Sequence, residues 1–124
     1  MRCRSVWEAS GQVCCTDVAA EYGGKGVFPS PAAMMTAAVA SCMLSMVALT
    51  GKNKGFDTGG ISISSGYETN EKGAISALTF DVTVPQKITP IVRRMMEKAA
   101  EHCPVGAIIS SAVEKKIRWN WAEE

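Results

Sequence analysis

The chain has no block of like charge: its thirteen Lys and Arg and twelve Asp and Glu are interspersed, leaving a net charge of +1. That absence removes the electrostatic footprint expected of a protein that grips nucleic acid or an anionic bilayer, so neither partner is expected. There is also no apolar leader. Met1-Arg2-Cys3-Arg4 runs straight into strand-like sequence without a hydrophobic h-region, and the expected compartment is the cytoplasm. The five cysteines, an odd count, include no C-x-x-C and no zinc-type spacing, so no metal site is expected. Gly23-Gly24-Lys25-Gly26 is too short for a phosphate-binding loop and lacks the following Ser or Thr, which leaves a plain turn and no cofactor. No internal repeat, low-complexity segment or linker divides the 124 residues, and one domain over 1–124 is expected.

What the sequence does have is a long uncharged stretch, Ala32 to Thr50, close to the roughly 20 residues that span a bilayer. It is rich in Ala and Met, carries Thr36, Ser41, Ser45 and Thr50, and lies among amphipathic elements. A soluble helix covered on nearly all sides by protein is the better reading, and a second subunit is the natural lid. Ser30-Pro31 opens this helix as N-cap and first helical residue.

Residues 2–9 and 12–20 are predicted as two strands joined at Ser10-Gly11, with Cys3, Ser5 and Trp7 sharing a face. Ile61, Ile63 and Tyr67 alternate with small polar residues, Leu78 to Val84 alternate again, and the polar segment 68–73 joins the two as a hairpin. Thr89-Pro90 opens a second helix with Ile91, Val92, Met95, Met96, Ala99 and Cys103 on its apolar side. A short apolar helix is predicted from Pro104 to about Ser110. A last strand follows, in which Val113, Ile117, Trp119 and Trp121 alternate with Glu114, Lys116, Arg118 and Asn120. The sum is an α+β fold with antiparallel sheets and two main helices.

Two cysteines stand where a thiol could be tuned. Cys42 lies inside the uncharged helix, with Met35, Ala38, Val39, Ser45, Met46 and Leu49 on its side, an apolar wall suited to a nonpolar substrate or simply to a core cysteine. Cys103 directly precedes Pro104. As the N-cap of a following helix its sulfur would face unpaired N–H groups and a positive dipole end, which favours thiolate. His102 is its neighbour, but adjacent helical positions diverge by about 100°, so His102 reads as a histidine exposed or hydrogen-bonded near a helix C-terminus. Cys3, Cys14 and Cys15 read as packing residues, and Trp7, Trp119 and Trp121 as core or interface mass.

Gly23-Gly24-Lys25, Ser30-Pro31, Ala40-Ser41-Cys42 and His102-Cys103-Pro104-Val105, in this order and at this separation, resemble the OsmC/Ohr family over nearly the whole chain. The resemblance implies a single OsmC-like domain forming an intertwined homodimer with active sites at the subunit interface. It also implies a thiol peroxidase for organic hydroperoxides. Cys42 would be the peroxidatic thiol and Cys103 the resolving one, joined as a disulfide that an external dithiol reduces. One departure stands out. Family peroxidases place a glutamate just after the proline that opens the first helix, where it holds an arginine against the thiolate; here Ala32 and Ala33 occupy those positions, and no arginine matches. The departure keeps open a second reading, a non-catalytic member that binds a small apolar ligand or senses thiol oxidation.

Overall fold

The computed structural model describes residues 1–123. They fall into two compact units, the first ending at Met35 and the second beginning at Thr36.

In the first unit, β1 (Arg2–Trp7) and β2 (Gln12–Asp17) form an antiparallel hairpin. Its turn closes where Ser10 and Gly11 both donate to the Trp7 carbonyl, with Gly11 at φ 75°. The strands are shorter than predicted, because Glu8 and Ala9 enter the turn and the chain leaves the ladder after Asp17. Cys3, Cys14 and Trp7 are exposed and so are not packed within this unit, whereas Cys15 is half-buried. Asp17 is the buried acid here, 5% exposed. Burial acts to raise its pKa, but the Lys25 N–H, the Arg2 guanidinium and the N-terminal ammonium outweigh it and hold the carboxyl below the usual 3.8. A carboxylate with a depressed folded pKa stabilises the fold above its unfolded pKa, and that contribution is lost as pH falls through the folded value. Asp17→Asn is therefore expected to lower the thermal midpoint at neutral pH. The gap from the parent should close as pH drops below 3.8; a gap independent of pH would show that Asp17 contributes shape rather than charge.

α1 (Pro31–Asn53) starts as its sequence dictates, the Ala33 N–H donating to Ser30 Oγ at 3.1 Å. From Thr36 onward, one stripe is buried: Val39, Ala40, Met43 and Val47. Three hydroxyls on this helix, which is uncharged as far as Gly51, bond along its own backbone. Ser41 Oγ donates to the Ala37 carbonyl at 2.9 Å, Ser45 Oγ to Ser41 at 2.8 Å and Thr50 Oγ1 to Met46 at 2.8 Å. By length and composition the helix could cross a membrane, yet its buried stripe belongs to the core of the second unit. The coverage on nearly all sides expected from the sequence is not supplied by the described residues of this chain: Ala37, Ala38, Ser41, Ser45 and Leu49 are exposed.

That core is closed by a three-stranded sheet of β3 (Ser62–Thr69), β4 (Ile75–Val84) and β5 (Glu114–Trp121), in the order β3-β4-β5. The first pair is the predicted antiparallel hairpin. The second pair is parallel, with Leu78 opposite Lys115, Phe80 opposite Ile117 and Val82 opposite Trp119. The sheet is thus mixed, because the chain crosses back through α2 (Pro90–Glu101) before adding β5. On α2 the buried positions are Val92, Met96 and Ala100, continued by Cys103, whereas Ile91 is 76% exposed and Met95 36%. The helix leans on one line of residues four apart rather than on the wider stripe read from sequence.

Candidate active site

Cys103 sits where α2 stops. His102 is the C-cap, its N–H bonded back to Lys98, and Pro104 cannot extend the helix because it lacks a donor and clashes with the preceding turn. The predicted second helix is a turn followed by a single three-residue 3-10 turn, Gly106–Ile108, too short to carry a useful dipole. One part of the N-cap expectation holds. The Gly106 N–H donates to Cys103 Sγ at 3.2 Å, as the third residue after a cap does, and Ala107 N–H donates to the Cys103 carbonyl at 3.0 Å.

The thiolate expectation does not hold. Cys103 is 2% exposed, and its burial, the largest influence, pushes the thiol pKa up. The Gly106 N–H pulls it down, the neighbouring Cys42 thiol pushes it up again, and the Lys115 ammonium pulls it down. Burial wins, and Cys103 rests as the neutral thiol. His102 is exposed, with Nδ1 2.8 Å from the Lys98 carbonyl, and plays the capping role read from sequence.

Cys42 reaches the same point from α1. Cys42, 61 residues away in sequence, packs against the core cluster that contains Cys103 and is near enough to influence its ionisation, and both cysteines are free thiols. Cys42 is half-buried, packed against the core on one side and open on the other. The apolar wall read around it divides accordingly, with Val39 buried, Met46 half-buried, and Ala38, Ser45 and Leu49 exposed.

A cavity of about 460 Å³ opens on Cys103 and Gly106. Val39, Met43, Ile117 and Trp119 give it an apolar lining, and Glu97, Glu101 and Lys115 bring charge. Cys42 is not among its lining residues. A larger hollow of about 650 Å³ lies over Thr79, Asp81, Lys116 and Arg118 and contains no cysteine. Among the described residues no group of His, Cys, Asp and Glu could hold a metal ion.

Sequence reasoning missed Lys115. Its Nζ donates to the Gly106 carbonyl at 3.0 Å, which places an ammonium on the turn that grips Cys103. The signal was available: Val113, Lys115, Ile117, Trp119 and Trp121 share one parity, so Lys115 is the single cation on the apolar face of β5. Lys116, on the other face, pairs instead with Glu68 at 3.0 Å.

A family model described as OsmC-like protein matches residues 23–118. No curated protein matches the chain. Among solved structures, a Psychrobacter arcticus 273-4 protein described as osmotic stress induced and detoxification response superposes with a TM-score of 0.90 at 21% identity, over 96% of this chain and 88% of the other. An organic hydroperoxide resistance protein OsmC from Legionella pneumophila gives 0.67 at 20% identity, over 97% and 95%. An organic hydroperoxide resistance protein from Elizabethkingia anophelis, with thiocyanate bound, gives 0.71 at 16% identity, over 96% and 93%. At these identities the likeness is one of fold.

Proposed function

The chain belongs to the OsmC-like protein family, and from that premise we propose that it is a thiol peroxidase that reduces organic hydroperoxides through Cys42 and Cys103. The observation that carries the reading is that Cys42 packs against the same core cluster that contains Cys103, close enough to influence the ionisation of that thiol. Cys42 attacks the terminal peroxide oxygen; the O–O bond breaks, the alcohol leaves, and the sulfur becomes a sulfenic acid. Cys103 then attacks that sulfur, the S–O bond breaks, water leaves, and a disulfide joins the pair. An external dithiol reduces it by exchange. The site needs no metal or cofactor, since both redox atoms belong to the chain.

The working unit is a homodimer of single OsmC-like domains in the cytoplasm, with the exposed uncharged face of α1 as part of the interface. Ala37, Ala38, Ser41 and Ser45 on that face are small enough for another backbone to approach closely. Ala32 and Ala33 support the second reading, a non-catalytic binder or thiol sensor, and the cavity beside Cys103 would be its ligand site.

Turnover separates the two. The purified protein, given cumene hydroperoxide and a dithiol, is expected to consume many equivalents of peroxide. With one equivalent and no dithiol it should yield a peptide pair linked through Cys42 and Cys103. A single equivalent consumed, with no further turnover when dithiol is added, would favour the sensor.

A further inference from the structure

We infer that Lys115 is the cation of this thiol pair, a positioning residue that holds the Gly106 turn on Cys103 and stabilises the charge Cys103 acquires when it attacks oxidised Cys42. The inference rests on the peroxidase reading for its role in turnover, while the physical coupling between Lys115 and Cys103 stands without it.

Three features carry it. Lys115 stands opposite the fully buried Leu78 and shares strand parity with Ile117 and Trp119, although it is itself an exposed residue near the start of β5. Its ammonium is fixed by a 3.0 Å bond to the Gly106 carbonyl, and the N–H of that same residue donates to Cys103 Sγ at 3.2 Å. The point a Gly106 Cβ would occupy lies 2.9 Å from Cys103 Sγ and 3.6 Å from Lys115 Nζ, so sulfur and ammonium flank one small residue. Together they make a chain of contacts running ammonium, carbonyl, amide, sulfur, in which the only side chain free to vary is the lysine.

The resolving step is where such a charge matters. Cys103 must lose its proton as the new S–S bond forms and the S–O bond of the Cys42 sulfenic acid breaks. The proton joins the departing hydroxide as water; the Cys42 sulfur is reduced and the Cys103 sulfur oxidised. A buried thiol resists this, and the charged groups around it are unequal. Glu97 and Glu101 from α2 line the same cavity and oppose a thiolate. Cys42 on α1 opposes it too, and the His102 ring is turned to the Lys98 carbonyl. Lys115 on β5 is the one cation among the cavity's lining residues. The arginine that the resemblance calls for would serve the peroxidatic thiol, whereas Lys115 stands beside the resolving one.

The test compares Lys115→Met and Lys115→Arg, first in a Cys42→Ser background. Iodoacetamide labelling of Cys103, read by mass spectrometry across pH, needs no peroxide. Lys115→Met is expected to move the labelling profile to higher pH, slowing labelling about three- to tenfold at pH 8, a modest factor because the lysine is partly solvated. Lys115→Arg should restore it. With Cys42 present and one equivalent of hydroperoxide, Lys115→Met should slow the decay of the Cys42 sulfenic acid by a similar factor while leaving its formation unchanged. Superimposable labelling profiles, no rescue by arginine, or a Cys103 that never reacts would overturn the inference. Absence of any sulfenic acid in the parent protein would instead overturn the peroxidase reading, with the labelling result still deciding the part played by Lys115.

Discussion

Cys42→Ser is expected to bring hydroperoxide consumption down to the uncatalysed background, a loss on the order of 10³-fold or more, the scale on which removing a covalent nucleophile acts. The replacement exchanges a polarisable sulfur that can be oxidised for an oxygen that cannot, in a position the helix tolerates. Ser41 and Ser45 already donate to the carbonyls four residues back, and a serine at 42 has the Ala38 carbonyl for the same bond. Loss of activity with an unchanged circular dichroism spectrum therefore reports chemistry rather than unfolding. Cys103→Ser gives the contrast: one equivalent of peroxide consumed, then arrest, with a sulfenic acid on Cys42 that dimedone traps. The two variants together assign the roles. If Cys103→Ser abolishes the first equivalent and Cys42→Ser retains it, the peroxide enters by the cavity and the roles are exchanged. Burial argues that Cys42 reacts first, because the attacking thiol must be reachable and ionisable, and Cys103 is 2% exposed with its pKa pushed up by that burial.

The same pair of cysteines shows what local sequence can and cannot say. Ser30-Pro31 fixes the start of α1 because its capping chemistry is complete within four residues. Ser41, Ser45 and Thr50 bond along the helix's own backbone, so they require no partner elsewhere in the chain. On α2 the periodicity overstates the buried stripe: Ile91 and Met95 are apolar and helically spaced, yet only the line through Val92, Met96, Ala100 and Cys103 meets the core. Strand direction is not legible at all, since the alternation of 113–121 is the same whether β5 runs parallel or antiparallel to β4. For Cys103, the residues forecast a donor on the sulfur and Gly106 supplies it. They do not forecast that the helix meant to follow is one 3-10 turn, nor that desolvation outweighs the donor. Lys115 is legible by parity but masked by its neighbours Glu114 and Lys116, which make the segment look uniformly charged.

Gly106→Ala is expected to uncouple the two thiols while leaving the fold in place. Gly106 is buried and lies outside the residues with positive φ, so its backbone accepts alanine, and what it requires is space. The added Cβ would stand 2.9 Å from Cys103 Sγ, well inside van der Waals contact, with Val39 Cγ1 at 3.7 Å preventing retreat toward α1. Either the turn shifts, which lengthens the Gly106 N–H to sulfur bond and pulls the carbonyl from Lys115, or the thiol rotates out of its present position beside Gly106. Overpacking of this size costs about 1 to 3 kcal/mol, a loss of stability a domain of this length can absorb. Disulfide formation after one equivalent of hydroperoxide is expected to fall at least about tenfold, because attack on the sulfenic acid needs the sulfur in line and close, and small displacements are heavily penalised. Sulfenic acid on Cys42 would then persist and, under excess peroxide, advance to sulfinic acid, which intact mass resolves. Wild-type rates of disulfide formation in Gly106→Ala would mean that the close approach at this turn is a packing accident and that Cys103 finds Cys42 by another path.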